Sequence, residues 1–336
     1  MIPRVAKGFL RALSIALVLL AAPLGSMAVP LDPELPPQYV QLRNSGRYEE
    51  LAHELQIAIA GDPQSATLHY WLGRSYYELH DYNRAESSLE RAAVLAPERS
   101  EFHDWLGKAS GRKAEHANPF SAMGLARKAF HAFQTAVRLA PANIEAQRDL
   151  ISYLLNAPGI LGGGDDAALR QIQALSDVDP VEGMLSRAEY FASRKKYDQA
   201  AAEYEKILKN NIRRIGVRFE IADFYRDRGD GARMRAVVDA AASLDPNDPR
   251  LEYYRGVALV LDNDDPAAAE SHLRTYLQRV PDSSQVPSHA SAHFWLGRLQ
   301  EAHGKTEQAA AEYRVALSID PHNEQARKAL DRLQPR

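Results

Sequence analysis

The sequence is organised by a repeat of about 34 residues. Three stretches that contain Trp-Leu-Gly can be superimposed: "LHYWLGRSYYEL" from Leu68, "FHDWLGKASGRK" from Phe102 and "HFWLGRLQEAHG" from His293. Gly73 and Gly107, in the first two stretches, lie 34 residues apart. A chain that repeats at this interval grows by stacking units on their neighbours, not by adding separate cores. The repeat therefore constrains the fold more than the chain length does.

The first and third of these stretches are followed by a second pattern that closes on proline. "HDYNRAESSLERAAVLAP" ends at Pro97, and "GKTEQAAAEYRVALSIDP" ends at Pro321. Apolar residues three and four apart give each segment one buried helical stripe, and small residues such as Gly73 and Ala85 allow two helices to approach closely. Proline ends the second helix because it cannot continue the hydrogen-bond ladder. Each repeat is therefore predicted to be a helical hairpin.

This order of Leu-Gly, Tyr, Ala, aromatic, Ala and closing Pro resembles the tetratricopeptide repeat. The resemblance implies an all-α fold, an α-solenoid of about eight helix-turn-helix units in a right-handed superhelix with a concave groove. The units cover nearly all of residues 29–336, so no second, catalytic domain is expected. The period places them at 32–65, 66–99, 100–143, 144–180, 181–214, 215–248, 249–288 and 290–323, with a capping helix at 322–334.

Residues 1–28 have the three-part layout of a secretory signal peptide. Three cations precede an apolar stretch over 12–24, and Ser26 and Ala28 supply small residues for a signal peptidase. We expect cleavage after Ala28 and export, with the periplasm of a bacterium as the destination. The alternative is an uncleaved membrane anchor, although the apolar run is shorter than the roughly 18 to 20 residues that span a bilayer and Pro23 interrupts it.

Charge and composition exclude several classes of partner and site. Without residues 1–28 the chain loses three of its 41 Lys and Arg and none of its 44 Asp and Glu, which leaves six more acids than bases. This balance provides no general attraction to nucleic acid or anionic lipid. The chain contains no cysteine, so disulfides, thiolate metal sites and cysteine nucleophiles are excluded.

The stretch "LLNAPGILGGGDDAALRQI" from Leu154 has the spacing of a phosphate loop between Gly159 and Gly164. Asp165 and Asp166 follow where that motif requires Lys and Ser or Thr, and two carboxylates would repel phosphate. We expect these aspartates to cap the next helix instead. The glycines are then a lengthened turn between two helices of one repeat.

Other patterns that could carry chemistry are incomplete. "HELQI" from His53 lacks the second histidine of the zinc-protease motif. His289 and His293 offer two ligands without an obvious third, and we expect them to be exposed or locally hydrogen-bonded. No Gly-x-Ser-x-Gly nucleophile elbow occurs in the sequence. The prediction is that the protein is not an enzyme and uses no cofactor and no metal.

In the tetratricopeptide repeat family the first helix of each unit lines the groove. Matching that face here selects aromatic residues and both signs of charge, which suit an extended peptide or a partner helix. The candidates are Tyr70, Arg74, Tyr77, Asp104, Lys108, Phe219, Asp223, Arg226, Tyr253, Phe294 and Arg298. The asparagines of the family's carboxylate clamp are not seen at the matching places. Trp71, Trp105 and Trp295 share one register, and either pack between repeats or present part of each indole to the groove.

The third and fourth units carry about ten and five extra residues relative to the family's repeat length. Both insertions, "SGRKAEHANPFSAM" from Ser110 and "NAPGILGGG" from Asn156, fall between the two helices of a unit. We expect them to form loops, at 110–121 and 156–164, that emerge on one edge. They either brace each other or form a recognition patch. The brace requires Phe120, Ile160 and Leu161 to be buried, and Arg112, Lys113 and His116 to face Asp165 and Asp166.

The function expected from these features is that of a non-catalytic adaptor or scaffold in the bacterial cell envelope that binds a protein or peptide. An alternative retains the N-terminal segment as an anchor. The repeats would then be the assembly arm of a secretion, polysaccharide-export or cytochrome-maturation complex, as repeats of this family are elsewhere. A hydrolase is the third alternative.

Overall fold

The computed structural model describes residues 33–210, 212–281 and 287–333. Within these ranges the chain forms α-helices, turns and one short 3-10 helix, and no strand. None of the helices in this part of the chain combines the length and the apolar character that a membrane crossing requires. The segment on which the prediction of export depends lies outside the described residues.

Sixteen helices of the described chain form eight consecutive pairs. The first helices of the pairs are α1 (Pro37–Asn44), α3 (Ala66–Glu78), α5 (Ser100–Glu115), α7 (Ile144–Asn156), α9 (Pro180–Ser193), α11 (Ile215–Asp227), α13 (Arg250–Asp262) and α15 (His289–Ala302). The second helices are α2 (Tyr48–Gly61), α4 (Tyr82–Leu95), α6 (Pro119–Leu139), α8 (Asp165–Val178), α10 (Tyr197–Lys209), α12 (Gly231–Ala242), α14 (Pro266–Arg279) and α16 (Thr306–Ile319). A last helix, α17 (Glu324–Leu333), follows the eighth pair. The predicted α-solenoid and its number of about eight units are confirmed.

Local sequence signals set the ends of these helices. The second helices α4 and α16 stop before Ala96-Pro97 and Asp320-Pro321, because proline cannot continue the helical ladder. Pro180 instead opens α9, where its missing N–H is not needed. The Asp179 side chain caps that helix by accepting hydrogen bonds from the backbone N–H groups of Val181 and Glu182 at 2.9 and 3.2 Å.

A glycine in several first helices brings the two helices of a pair into close contact. A Cβ atom added at Gly107 would lie 2.6 Å from the Phe133 ring, and one at Gly297 would lie 2.4 Å from the Tyr313 ring. Both rings are buried in the core. Because Gly107 and Gly297 have no side chain, an aromatic ring of the second helix can fill the space beside each of them.

Aromatic rings also connect each repeat to the next. Tyr70 of α3 stacks on Phe102 of α5 with ring centroids 4.9 Å apart, and Phe219 of α11 stacks on Tyr254 of α13 at 4.6 Å. These contacts belong to apolar clusters that continue from one repeat into its neighbour. A hairpin of this kind cannot cover its own apolar faces, so the shared core stabilises the whole array.

The tryptophans support the packing alternative. Trp71 and Trp295 are buried, and the Trp71 indole N–H donates to the carbonyl oxygen of Pro33 at 3.0 Å. Trp105 is half-buried, and its ring meets Tyr77 of the preceding repeat edge-on at 5.4 Å. Of these three tryptophans, only Trp105 is thus substantially accessible to solvent.

The first insertion is not a loop, which corrects the prediction for residues 110–121. Its residues lengthen both helices, so that α5 has 16 residues and α6 has 21, and only residues 116–118 join them. The Asn118 side chain accepts hydrogen bonds from the N–H groups of Phe120 and Ser121, and Pro119 takes the first helical position. A capping Asn before Pro is a strong helix start, and it overrides the loop that the repeat length suggested.

The second insertion forms a compact turn, with a 3-10 helix at Gly159–Leu161. Gly162 and Gly164 adopt positive φ angles of 89° and 126°, which residues other than glycine rarely adopt. The cap of α8 is Gly164, and no side chain caps this helix. The prediction that Asp165 caps it is therefore wrong: the Asp165 carboxylate binds Arg194 at 2.7 Å.

The array curls until its C-terminal end meets its second repeat. His80 lies in the turn between α3 and α4, and His322 lies between α16 and α17, yet their ring centroids are 4.7 Å apart. The imidazole of His80 also hydrogen-bonds Tyr82 at 2.7 Å. Loss of hydration and the neighbouring His322 lower the pKa of His80.

The close approach of α15 and α16 leads to a test of stability. We expect Gly297→Ala to lower the free energy of unfolding by about 1 to 2 kcal/mol, because the new methyl group overpacks the Tyr313 ring by more than the helix propensity of Ala restores. Gly216→Ala in α11 is the control, since a Cβ there has no neighbour within 4 Å. It should leave stability unchanged or raise it by up to about 1 kcal/mol. Urea unfolding followed by circular dichroism measures both, and equal effects would contradict the packing argument.

Candidate partner-binding face

The first helices of the repeats line one continuous face. The Lys108 ammonium of α5 lies 2.6 Å from a carboxylate oxygen of Glu145 in α7. Further along, the Tyr254 hydroxyl of α13 donates to Asp223 of α11 at 3.2 Å. Side chains thus connect one first helix to the next without involving the second helices.

Arg148 establishes that this face is concave. It projects from α7, and its guanidinium donates to both carboxylate oxygens of Glu220 in α11 at 3.2 and 3.0 Å. Neighbouring helices pack with axes about 8 to 10 Å apart, so α7 and α11 would be roughly 16 to 20 Å apart in a flat row, with α9 between them. The two side chains meet over α9 because the repeats curve inward on this side.

The first group of charges on this face surrounds Lys108. Its ammonium lies 3.0 Å from Asp104, 2.6 Å from Glu145 and 3.0 Å from Asp149. Asp104 is buried, whereas 58% of the Glu145 side chain is exposed. One cation is therefore shared among three carboxylates.

The second group repeats this arrangement around Arg148. Its guanidinium contacts Glu182 at 3.3 Å, Glu189 at 2.8 Å and Glu220 at 3.0 Å, which belong to α9 and α11. Arg214 also contacts Glu182, and it contacts Asp179 in addition. Arg214 adds one cation and Asp179 adds one carboxylate, so the excess of carboxylates over cations is unchanged.

The third group lies at the end of α11, where Arg226 contacts Asp223 and Asp227 at 2.5 and 2.9 Å. In the three groups, three cations hold eight carboxylates. We call this surface the acidic face. It consists of Asp104, Lys108, Glu145, Arg148, Asp149, Glu182, Glu189, Glu220, Asp223, Arg226 and Asp227.

The pKa values on the acidic face reflect this crowding. Burial raises the pKa of Asp104 to about 7, and the carboxylates of Asp149 and Glu145 add to the rise against the opposing effect of Lys108. The pKa of Glu189 is also raised, by loss of hydration first and by Glu220 in addition. The cations on this face do not fully compensate the carboxylates around them.

Five of the eleven sequence-predicted groove residues are inside the core. Tyr70, Asp104, Phe219, Tyr253 and Phe294 are each no more than 6% exposed. They occupy the predicted register on the first helices, but that register faces the neighbouring repeat. The prediction that these five contact a partner is therefore corrected, because their side chains already pack against their own chain.

The other predicted groove residues reach the surface. Arg74, Tyr77, Lys108, Asp223 and Arg226 are half-buried, and Arg298 is exposed. The Arg74 guanidinium lies 4.5 Å from the Trp71 ring centroid and 4.1 Å from that of Trp105, so it bridges two repeats through cation–π contacts. These six remain candidates for contact with a partner.

Apart from Asp223, sequence reasoning missed the acidic residues of the fourth to sixth repeats. Glu189 follows the buried Ala188 of α9 just as Lys108 follows Gly107 of α5, so the two side chains take equivalent places on the face. The fourth to sixth repeats lack Trp-Leu-Gly, and the register of their first helices is therefore hard to assign from the sequence alone. A helical projection aligned on the small buried residue would have found Glu189.

The edge formed by the insertions presents apolar side chains to solvent. Phe120 is 94% exposed and Ile160 is 75% exposed, whereas Leu161 is half-buried. Arg112 pairs with Glu115, and Lys113 pairs with Glu86. The expectation that Phe120 and Ile160 are buried and that these cations face Asp165 is therefore wrong.

The turn of the second insertion is attached to α6 through Tyr153 of α7. The Tyr153 hydroxyl lies 3.0 Å from both the Ala126 carbonyl oxygen of α6 and the Leu161 carbonyl oxygen of the turn. The Phe130 ring stacks on Tyr153 at 5.3 Å and fills the space beside Gly162. The turn is thus held against α6, while Ile160 remains largely exposed.

A cavity of about 630 Å³ opens between this edge and the acidic face. Its walls come from α5, α6, α7 and the turn, and they include the apolar parts of Tyr77, Met123, Phe133, Tyr153 and Ile160. Lys108 and Asp149 also line it. The cavity and the first charge group are therefore neighbours on one continuous surface.

The histidines considered as ligands are hydrogen-bonded locally, as predicted. His289 Nε2 lies 2.8 Å from the carbonyl oxygen of Val280. His293 Nδ1 lies 2.7 Å from a carboxylate oxygen of Glu312 in α16. Both contacts hold α15 against the preceding or paired helix.

Comparisons with known families agree with this architecture. A tetratricopeptide repeat model matches residues 165–213, 219–284 and 260–324, and a second tetratricopeptide repeat model matches residues 66–99. The chain belongs to the tetratricopeptide repeat family. A search of the curated proteins finds no match to the sequence.

Solved structures of other proteins resemble this one. Yeast Tom70 aligns with 89% of this chain and 60% of its own, at 14% identity and a TM-score of 0.62. A tetratricopeptide repeat protein from Parabacteroides merdae ATCC 43184 aligns over 80% of this chain and 99% of its own, at 20% identity and a TM-score of 0.49. At 14% identity, the likeness to Tom70 concerns the fold alone.

The raised pKa of Asp104 makes the stability of this tetratricopeptide repeat array depend on pH. Because the folded pKa of about 7 lies above the ordinary value of 3.8, the contribution is complete below that ordinary value and is lost as the pH rises through 7. We expect the free energy of unfolding to fall between pH 5 and pH 8 by on the order of 2 kcal/mol more in the wild type than in Asp104→Asn. Denaturant unfolding at both pH values measures the difference.

Asp227→Asn is the matched control for this measurement, because 68% of the Asp227 side chain is exposed. Its pH dependence should equal that of the wild type. Equal pH dependence in the wild type and Asp104→Asn would contradict a raised pKa at Asp104.

Proposed function

We propose that this protein is a non-catalytic scaffold of the bacterial cell envelope that holds a peptide or a helix of a partner against its concave face. The observation that carries the proposal is the contact between Arg148 and Glu220 across α9, since it makes the first helices one concave surface. Tetratricopeptide repeat arrays are protein-interaction scaffolds, and repeat solenoids use such extended concave surfaces for binding.

The surface residues of this face suit a protein ligand. Arg74, Tyr77 and Arg298 add directed hydrogen bonds and aromatic area to the acidic face. The concave surface also brings side chains of several repeats within reach of one ligand at the same time. Phe120 and Ile160 provide a second, smaller apolar surface on the edge.

Export is part of the proposal and is supported by the sequence of residues 1–28 alone. A cationic start, an apolar run and small residues before Ala28 are the features that favour it. An uncleaved segment would instead attach the same scaffold to a membrane as the assembly arm of a larger complex. The binding face would be the same in both cases.

Site-specific photocrosslinking in cells tests which face binds. A benzophenone side chain in place of Glu189 would lie on the concave face, and one in place of Glu205 would lie on the second helix α10 as the matched control. Both native side chains are at least 40% exposed, so the replacements should not disturb folding. We expect discrete adducts from position 189 and none from position 205.

A third benzophenone at position 120 separates the concave face from the edge. Adducts from position 120 alone would move the binding site to the insertions and contradict the proposal for the concave face. Adducts of equal yield from all three positions would indicate non-specific capture and would contradict it as well.

N-terminal sequencing of the protein purified from an envelope fraction tests export. Cleavage after Ala28 predicts a mature chain that starts at Val29. An intact Met1 in a membrane fraction would contradict cleavage and support the anchored alternative. An intact Met1 in the cytoplasm would contradict export altogether.

A further inference from the structure

We infer that the acidic face selects a basic, extended segment of the partner, and that the adjoining cavity takes one apolar side chain of the same segment. The inference rests on the proposed function and specifies its ligand. It concerns the concave surface from α5 to α11, where the charge groups around Lys108, Arg148 and Arg226 follow one another.

The imbalance of charge is the first argument. Each cation of this surface is already shared among two or three carboxylates, and eight carboxylates meet three cations in the three groups. The three groups have five more acids than bases, against six for all of residues 29–336, so most of the acidic surplus of the chain is concentrated here. A ligand that supplies guanidinium or ammonium groups relieves this repulsion, whereas an acidic ligand adds to it.

The accessibility of the acids is the second argument. Glu145, Glu189 and Glu220 have side chains that are 58%, 42% and 40% exposed, and each contacts a cation on one side only. Solvent therefore reaches a substantial part of each of these side chains. A basic side chain can therefore approach them without displacing Lys108 or Arg148.

An unpartnered buried oxygen is the third argument. Asp104 is 3% exposed, and its Oδ1 atom has no hydrogen-bond partner. An additional cation bound at Glu145 and Asp149 would favour the ionised form of Asp104 and lower the energy of this group. The first charge group thus has more acceptor capacity than its own chain satisfies.

A metal ion is the competing occupant of the first charge group. Oxygens of Asp104, Glu145 and Asp149 lie within 4.8 Å of one another, a spacing that could hold a cation. The Lys108 ammonium, however, already lies within 3.0 Å of all three carboxylates. A divalent ion there would be repelled by this ammonium, so a positively charged side chain at the exposed rim is the favoured ligand.

The cavity defines the second feature of the ligand. It has a volume of about 630 Å³, and Lys108 and Asp149 form part of its wall together with Tyr77, Tyr153 and Ile160. An apolar side chain that enters it leaves the neighbouring residues of the same segment beside Glu145. The segment therefore needs an apolar residue followed or preceded by basic ones.

The dimensions define the length of the segment. In a flat row, first helices about 8 to 10 Å apart would place α5 and α11 roughly 24 to 30 Å apart, and the inward curve of the repeats makes this an upper bound. An extended chain advances about 3.3 Å per residue, so about eight or nine residues cover this distance. A helix with the same number of residues would span less than half of this distance, because it advances only about 1.5 Å per residue.

Three synthetic peptides of nine residues test the inference with the full-length protein. The basic peptide carries four arginines and one leucine on a serine background, and its counterparts carry glutamate or glutamine at the four arginine positions. Fluorescence anisotropy measures binding at 50 mM and 500 mM NaCl. We expect the basic peptide to bind at least tenfold more tightly than the glutamine peptide at low salt, no binding of the glutamate peptide, and weaker binding at high salt.

Charge-matched variants locate the interaction. The variant Glu145→Gln, Glu189→Gln and Glu220→Gln should weaken the basic peptide about tenfold, because each exposed pair contributes modestly. The control variant Glu90→Gln, Glu205→Gln and Glu307→Gln changes the net charge equally on the second helices and should bind like the wild type. Circular dichroism melting of both variants verifies that they are folded.

A fourth peptide with serine in place of leucine tests the cavity. It should bind the wild type more weakly than the leucine peptide, and Ile160→Ser should reduce that difference without changing the affinity for the serine peptide. Equal affinity of the two peptides for the wild type would overturn the role of the cavity.

Other outcomes would overturn the basic preference. Equal affinity for the arginine and glutamine peptides would leave concave-face binding intact and contradict selection by charge. A saturable calorimetric titration with CaCl₂ alone that Glu145→Gln abolishes would show a metal site instead. If no peptide binds, the inference is wrong, and the proposed function is then judged by the photocrosslinking experiment.

Discussion

The contact between the two helices of one repeat is the interaction on which the rest of this structure depends. Gly107 of α5 has no side chain, and the Phe133 ring of α6 fills the space beside it, so the two helices pack at close range. The pair then has a second apolar surface that it cannot cover, and only the next repeat covers it. Stacked rings such as Tyr70 on Phe102 make that connection. Stability is consequently a property of neighbours, and no single repeat is expected to fold alone.

The curvature that results from this stacking creates the functional surface. Repeats that are close on their first-helix side bring residues two units apart into contact, as Arg148 and Glu220 demonstrate. The same curvature concentrates carboxylates in a partly dehydrated space, which raises the pKa of Asp104 and of Glu189. It also brings the C-terminal turn at His322 to the second repeat at His80. A straight stack of the same helices would have none of these contacts.

The insertions show how local signals and repeat length compete. Residues 110–121 lie in a repeat that is longer than the family's repeat length, and this excess favoured a loop. Asn118 and Pro119 are nevertheless a helix start, and α6 begins at Pro119. The second insertion contains the glycines that a turn requires, and Gly162 and Gly164 adopt left-handed φ angles. Both insertions stay close to their own repeats, which leaves Phe120 and Ile160 exposed on the edge.

The sequence by itself determined the helical hairpin, its period, the number of repeats and the register of the first helices, because these depend on spacing within about 34 residues. It also located Arg74, Lys108 and Arg226 on the surface. Only the tertiary structure decided that Tyr70, Phe219 and Tyr253 are buried and that the acids of four repeats form one face. The reason is that burial and charge crowding depend on the angle between successive repeats. That angle arises from packing between residues distant in sequence, and no local pattern of residues encodes it.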